Sequence, residues 1–328
     1  MDTILEIKNL SVAFQYSGKP VAVTKDVSFS IRDGEVLGVV GESGSGKSVT
    51  AKTVMRLLAS PPSSILSGEV ILNGKDVTKL SEKEMQELRG DTVAMIFQEP
   101  MTSLNPVFTC GNQLVEAIRQ HQKVSRREAY AKAVEMLDLV GIPLPETRMK
   151  AYPHEMSGGM RQRVMIAMAL CCNPKLLIAD EPTTALDPTI QAQIIDLILK
   201  LQKDRNMAVM YIAHDLGVVA ETCQRVVVMY AGMIMEIADV MTLFSKPLHP
   251  YTIGLMQAMP TMGEKKERLY DIKGMVPHIT QMPEGCRFNT RCPYARDDCK
   301  NICPELTDLG NGHSVRCLHY KEIEEARK

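Results

Sequence analysis

The chain of 328 residues has no tryptophan, and aromatic residues of all kinds make up only 5% of it. Its 22 methionines fall mostly in apolar runs such as Val164–Leu170, where they read as core filling. Charge excess of either sign is also missing. The 38 Lys and Arg against 39 Asp and Glu leave −1, which excludes a bulk basic field for nucleic acid and an acidic tail. No apolar run is long. Val226–Met235 reaches about half of what a membrane-spanning helix needs. Met1-Asp2-Thr3 lacks the basic start of a secretory signal, so synthesis in the cytosol is expected, with any membrane contact made through a partner. Cysteine is sparse over most of the chain: Cys110, Cys171, Cys172 and Cys223 stand before Gly285, and five of the nine crowd after it. A disulfide framework is not expected in a reducing compartment, and the local cluster leans towards metal. What is present is ordinary for a folded protein, 45% hydrophobic and 23% charged, which excludes global disorder. The length allows two or three domains at roughly 100–200 residues each.

Short β-rich runs open the chain: Ile4–Ile7, Val27–Ile31, and after an Asp33-Gly34 turn Val36–Val40. The last is continuous and β-branched, as a strand buried on both faces should be. A glycine-rich loop follows, then a predicted helix from Ser48 to about Leu58, stopped by Pro61-Pro62. Residues 100–165 read mostly helical, Arg126–Val140 among them, with a loop at Gly141–Pro153. Lys175–Ala179 and Met207–Ala213 are further strands. Between them Asp187-Pro188 reads as an N-cap and first helical proline, before apolar positions Ile190, Ile194, Leu197, Ile198 and Leu201 on one helix face. Alternating buried strands and helices predict an α/β parallel sheet with a helical insertion. From about Pro260 the texture turns to short, Pro- and Gly-punctuated, Cys-rich pieces, and a domain boundary is placed there.

Three pieces carry chemistry. Gly41-Glu42-Ser43-Gly44-Ser45-Gly46-Lys47-Ser48 matches the phosphate-binding pattern G-x-x-x-x-G-K-[ST] in full. Its glycines let backbone N–H groups turn inward on phosphate oxygens, and the following helix presents its positive end. Lys47 would neutralise the β- and γ-phosphates and the Ser48 hydroxyl would ligate Mg2+. Leu176–Glu181 is an apolar strand ending in two carboxylates, an arrangement that costs repulsion and desolvation. At the end of a parallel strand it has a use: Asp180 would hold Mg2+ and Glu181 would polarise the water that attacks the γ-phosphate. Ser157-Gly158-Gly159-Met160-Arg161-Gln162 opens a helix whose capped start would suit an anion. Two anion sites for one nucleotide make sense if the second faces the ATP of a neighbouring chain.

With these residues in order, the sequence resembles the nucleotide-binding subunits of ABC transporters. Ser157–Gln162 matches that family's signature motif, with Met160 where Gln is more usual. Gln98 in Ile96–Pro100 matches the Q-loop glutamine, Ala185-Leu186-Asp187 the D-loop, and His214 in Ile212–Asp215 the switch histidine. The resemblance implies an α/β P-loop NTPase (ABC ATPase) core. An N-terminal antiparallel β subdomain, a helical insertion over about 99–165 and a small Cys-rich C-terminal appendage complete it, divided as residues 1–260 and 261–328. It implies that Gln98 joins Ser48 and Asp180 around magnesium. It also implies an aromatic stacked on adenine, for which Phe14 is the first candidate and Tyr16 the second, the stretch Gln15–Pro20 blurring the alignment.

Glu99–Pro106, Glu181–Asp187 and Leu248–Thr252 narrow the likeness to the dipeptide and oligopeptide importer branch, and to its D-type ATPase subunit. That resemblance implies a peripheral protein on the cytoplasmic side of the cell membrane. Its implied partners are a second ATPase subunit, two membrane-spanning permeases and an extracytoplasmic peptide-binding protein. Nickel and glutathione importers share the motifs, and a non-transport ABC ATPase is the rival class. The tail spacing Cys286-x5-Cys292-x6-Cys299, with Cys317 further on, is neither C-x2-C zinc nor ferredoxin spacing. By resemblance those four cysteines are ligands of a structural 4Fe–4S cluster. Cys303 in place of Cys317, or zinc with His313 or His319, are the alternatives.

Overall fold

The computed structural model describes residues 2–98, 103–184, 186–259 and 270–327. Glu99–Thr102, Ala185 and the boundary expected near Pro260 lie outside them. The chain divides into two compact units, one of Met1–Ile4, Arg32–Glu35 and Lys79–Met210, the other of Leu5–Ile31, Val36–Thr78 and Tyr211–Lys328.

The first unit pairs β6 (Val93–Ile96) in parallel with β7 (Leu176–Asp180), Val93 opposite Leu176 and Ile96 opposite Ala179. Every residue of both strands is buried, which is why they read as unbroken apolar runs. β8 (Ala208–Ala213) begins in this unit and ends in the other. The expected helical stretch resolves into Cys110–His121, Arg126–Leu139, a turn at Pro145–Arg148 and Gly158–Leu170. Each longer helix starts where a side chain satisfies an orphan N–H: Thr109 accepts from Asn112, Ser125 forms a capping box with Glu128, and Ser157 accepts from Met160. Leu114 and Ile118 of one helix, and Ala129, Ala133, Met136 and Leu137 of the next, form their buried faces. Each fully buried Leu or Ile stabilises by about 1.5–3 kcal/mol. Asp187 caps Pro188–Arg205 as expected, its Oδ1 accepting from Ile190 N at 3.0 Å, and Asn206 closes that helix in the left-handed conformation.

The second unit holds nearly all of the antiparallel sheet β2-β1-β4-β5, from β1 (Thr3–Tyr16), β2 (Lys19–Arg32), β4 (Ser63–Leu72) and β5 (Lys75–Asp76). The stretch Gln15–Pro20 is the β1–β2 hairpin, turning at Ser17-Gly18 with φ positive at both residues. The apolar run Val226–Met235 is also a hairpin, β9 (Arg225–Tyr230) and β10 (Met233–Asp239) turning at Ala231-Gly232. Two-residue turns with φ > 0 at both positions match the twist of paired strands. β3 (Val36–Val40) lies parallel to β9. The helix after the glycine loop is shorter than expected, Lys47–Val54, because Arg56 turns left-handed (φ 49°) well before the prolines.

Among the described C-terminal residues, two short strands extend the sheet of β9 and β10. β12 (Ser314–Val315) pairs with β10, and β11 (Thr307–Asp308) pairs with β12. Val315, Phe288 and Ile323 are buried. Arg316 donates through Nε to Ile234 O (2.8 Å), and its backbone N–H donates to Met235 O (2.8 Å). Buried Glu236 gathers Leu248 N, His249 N and His313 Nε2 within 2.9 Å. A segment with little apolar content gains stability by adding strands and side chains to an existing sheet.

Candidate nucleotide site and cysteine cavity

In the second unit β3 runs into the phosphate loop Gly41–Gly46 and then the helix Lys47–Val54. Gly41 (φ 151°) passes so close to β9 that a Cβ there would lie 2.1 Å from Met229 O, and Gly46 (φ 97°) forms the N-cap with no side chain occupying the helix start. The first turn carries no acidic residue, so its N–H groups and dipole suit an anion. Lys47 is buried and donates through Nζ to Gly41 O (2.7 Å), Glu42 O (3.1 Å) and Ser45 Oγ (3.4 Å). Ser43 and Gly44 are exposed. His214 is exposed just after β8, where Asp215 caps the next helix by accepting from Gly217 N at 2.7 Å. Phe14 is half-buried on β1 opposite Ser63, while Tyr16, 47% exposed, meets His278 edge to face at 5.7 Å.

In the first unit Asp180 ends β7, buried, and Glu181 follows with φ 50°. The left-handed region costs a non-glycine residue about 1 kcal/mol, a strain that concentrates at functional positions. Gln98, at the exit of β6, donates through Nε2 to Glu181 Oε2 at 2.6 Å, and Thr184 Oγ1 donates to the same oxygen at 3.3 Å. The parallel pairing of β6 and β7 thus joins two residues far apart in sequence. Ser157, Gly158, Gly159 and Met160 lie at an accessible helix start, Ser157 and Gly158 exposed and a Cβ on Gly158 meeting open space. Gln162, buried one turn on, donates through Nε2 to Pro182 O at 2.6 Å, fastening this helix to the segment after Glu181.

The ABC transporter family matches residues 24–184, and the C-terminal region of oligopeptide/dipeptide transporters matches 235–299. The oligopeptide transport ATP-binding protein AppD of Bacillus subtilis is 49% identical over 322 residues, 98% of each chain. The dipeptide transport ATP-binding protein DppD of Escherichia coli K12 is 49% identical over 317 residues, 97% of this chain and 96% of that one. This chain is an ABC ATPase. Among solved structures, the cassette MJ0796 in a dimeric post-hydrolysis state bound to ADP and Pi superposes with TM-score 0.64 at 27% identity, covering 72% of this cassette and 98% of its own chain. The shared part is the ATPase core.

Within the cassette, Cys286, Cys292, Cys299 and Cys317 line one small cavity together with His249, Phe288 and His319. Cys303 is absent from that lining, its Sγ facing Pro304 O. His313 is likewise elsewhere, committed to Glu236. His319 Nε2 meets Asp298 Oδ1 at 3.0 Å, and Asp298, Cys299 and His319 bring ligand atoms within 4.8 Å of one another. Burial pushes the thiols of Cys286 and Cys317 up to about 11 and that of Cys292 up to about 12.

Sequence reading missed several side chains around the phosphate loop. The Glu42 N–H donates to the Tyr251 hydroxyl (2.9 Å), and Arg291 Nη1 donates to Glu42 Oε2 (2.8 Å). Arg287 Nη1 bonds Ala231 O, whose neighbour Gly232 donates its N–H to Ser45 O at 2.9 Å. The one signal was two arginines inside the Cys286–Cys292 spacing.

Proposed function

We propose that this cassette powers uptake of dipeptides or oligopeptides across the cytoplasmic membrane, working with a second ATPase subunit, two permeases and an extracytoplasmic binding protein. The observation that carries the catalytic reading is the strained, buried Glu181 whose carboxylate is held by Gln98. The names of the relatives at 49% identity and the match over 235–299 support the cargo class.

In this mechanism the loop Gly41–Ser48 binds the phosphates, Lys47 neutralises them, and Ser48, Asp180 and Gln98 would hold Mg2+, which would offset negative charge on the phosphates. Glu181 takes the proton of the attacking water, and His214 donates to the γ-phosphate. Ser157, Gly158, Gly159 and Met160 face the ATP held by the partner cassette, with Asp187 of the D-loop beside them. Phe14 or Tyr16 stacks on adenine. Closure is then driven by the γ-phosphate, the feature both cassettes share, and hydrolysis removes it.

A docking element for the permeases follows Gln98. Buried Gln113 accepts from Asn105 N (2.9 Å) and donates to Asn105 O (3.0 Å) and Phe108 O (3.1 Å), holding a loop that leaves Val107 71% and Phe108 50% exposed. Fixed apolar side chains of this kind suit a cytoplasmic helix of a permease. No helix among the described residues is long and apolar enough to cross a membrane, so residence on the cytoplasmic face comes through those subunits.

The cysteine cavity fits a 4Fe–4S cluster by its donor set, four thiols in a mostly apolar lining, with soft ligands suited to iron–sulfur or zinc. Cys286, Cys292, Cys299 and Cys317 would hold it, and it would supply a cross-link to a segment with little apolar content. Zinc on Cys299, His319 and Asp298 is the second reading. Iron and sulfide analysis with an absorbance band near roughly 400 nm supports the cluster, and zinc without sulfide rejects it.

Proteoliposomes of the assembled transporter test the function. Dipeptide or oligopeptide with binding protein should stimulate ATP hydrolysis and accumulate inside. Stimulation by nickel or glutathione instead would reassign the cargo, and release of the cassette from membranes that contain the permeases would point to the non-transport class.

A further inference from the structure

The polar groups of Glu42 face protein. Its N–H donates to Tyr251, its carbonyl accepts from Lys47 Nζ and Ser45 N, and its carboxylate pairs with Arg291. Glu42 is therefore a handle on the phosphate loop, and Arg291 holds it. Each guanidinium nitrogen of Arg291 is assigned: Nε donates to Lys273 O (3.1 Å), Nη2 to Ile272 O (3.0 Å), and Nη1 to Glu42 Oε2 (2.8 Å) and the Tyr230 hydroxyl (3.4 Å). Exposed ion pairs contribute little. This one has an arginine side chain only 5% exposed and a glutamate 29% exposed, in a fork fixed at three points.

The turn that carries Arg291 is rigidly seated. Phe288 packs among Tyr230, Tyr251 and His249, with ring centroids 5.1, 5.4 and 5.8 Å away. Phe288 and His249 also line the cysteine cavity, and Cys286 and Cys292 bracket the turn. A continuous packed path therefore runs from the cavity through Phe288 and Tyr251 to the backbone of Glu42, and a second through Arg291 to its side chain.

We propose that Arg291 is a positioning residue for nucleotide binding, through which the turn Cys286–Cys292 sets the shape and charge of the phosphate loop. Arg291 acts in two ways. It fixes the second residue of the loop, so the N–H groups that follow are preorganised for phosphate. It also neutralises a carboxylate that would otherwise repel a triphosphate a few residues away.

A double-mutant cycle tests this on the full-length chain, with Mg-ATP affinity measured by calorimetry, and on the assembled transporter, with kcat and KM separated. Arg291→Gln should weaken ATP binding about tenfold and raise KM while kcat changes less than twofold. In the Glu42→Gln background the same change should cost less than twofold, because the contact it breaks has already lost its charge. Should Arg291→Gln fail to fold, Arg291→Lys serves, with a two- to fivefold loss expected beside the native Glu42 and none in the Glu42→Gln background. Native ATP affinity in the Arg291 variant, an equal loss in both backgrounds, or a fall in kcat at unchanged KM would each overturn the proposal.

Discussion

Two glutamates, Glu42 in one unit and Glu181 in the other, show how the same side chain is set to different tasks. Glu42 pairs with a guanidinium, its charge is offset, and its main chain is bound on both sides. Glu181 stands in a strained conformation at the end of a buried strand, and its carboxylate accepts from the neutral Gln98 amide and Thr184 hydroxyl. A cation neutralises a carboxylate and turns it into a structural tie. A neutral donor such as the Gln98 amide orients a carboxylate without itself cancelling the charge, as suits a group that takes the proton of an attacking water.

The strongest way to break this comparison is the isosteric change at Glu181. Glu181→Gln should cut ATP turnover at least about a hundredfold while Mg-ATP still binds and holds the cassettes closed, as removal of a general base does. Turnover at the wild-type rate would show that Glu181 has no such role. Lys47→Ala is expected to do the converse, weakening ATP binding by about a hundredfold through loss of a buried cation from the phosphate loop. Calorimetric titration checks it, and near-native affinity would place phosphate recognition elsewhere.

A pH titration sharpens the contrast from the side of the phosphate-loop unit. His249 is fully buried and lowered from 6.5 to about 4 by desolvation, and its Nδ1 accepts from Tyr251 N at 3.0 Å. The unfolded chain takes up a proton below pH 6.5 that the native chain refuses until about pH 4. The stability from the neutral ring is thus complete above pH 6.5 and lost as pH falls through that window, by at most about 3 kcal/mol. Denaturant melts at stepped pH should show the slope for wild type and a flatter one for His249→Asn. Equal slopes would remove His249 from the account.

The smallest effect belongs to the other unit. Ser157→Ala removes the cap on Met160 N and should cost about 1 kcal/mol of stability, read as a lower denaturant midpoint, besides any loss at the partner's nucleotide. An unchanged midpoint would mean the cap contributes nothing.

How far the sequence could be read depended on the span of each feature. The phosphate loop was legible because its strand, glycines, lysine and helix are contiguous, and each enforces a local conformation. The acid-ended strand was legible because four apolar residues followed by two carboxylates contradict ordinary burial. The strand run Val226–Met235 showed its apolar character but not its fold, since the turn at Ala231-Gly232 needs positive φ at an alanine. The helix after the loop was read several residues too long, its end decided by Arg56 rather than by the prolines. The tail was expected as an appendage, yet it supplies two strands to the sheet of β9 and β10.

By itself the sequence determined what is local: strand and helix identity from periodicity, the phosphate loop from its glycines, helix starts from Ser157 and Asp187. The tertiary structure alone decided which distant groups meet, namely Gln98 with Glu181, Arg291 with Glu42, and four cysteines around one cavity without Cys303. Local conformation follows from sterics and hydrogen bonds within a few residues. Pairings between remote side chains follow from strand register and packing, which no short window of sequence encodes.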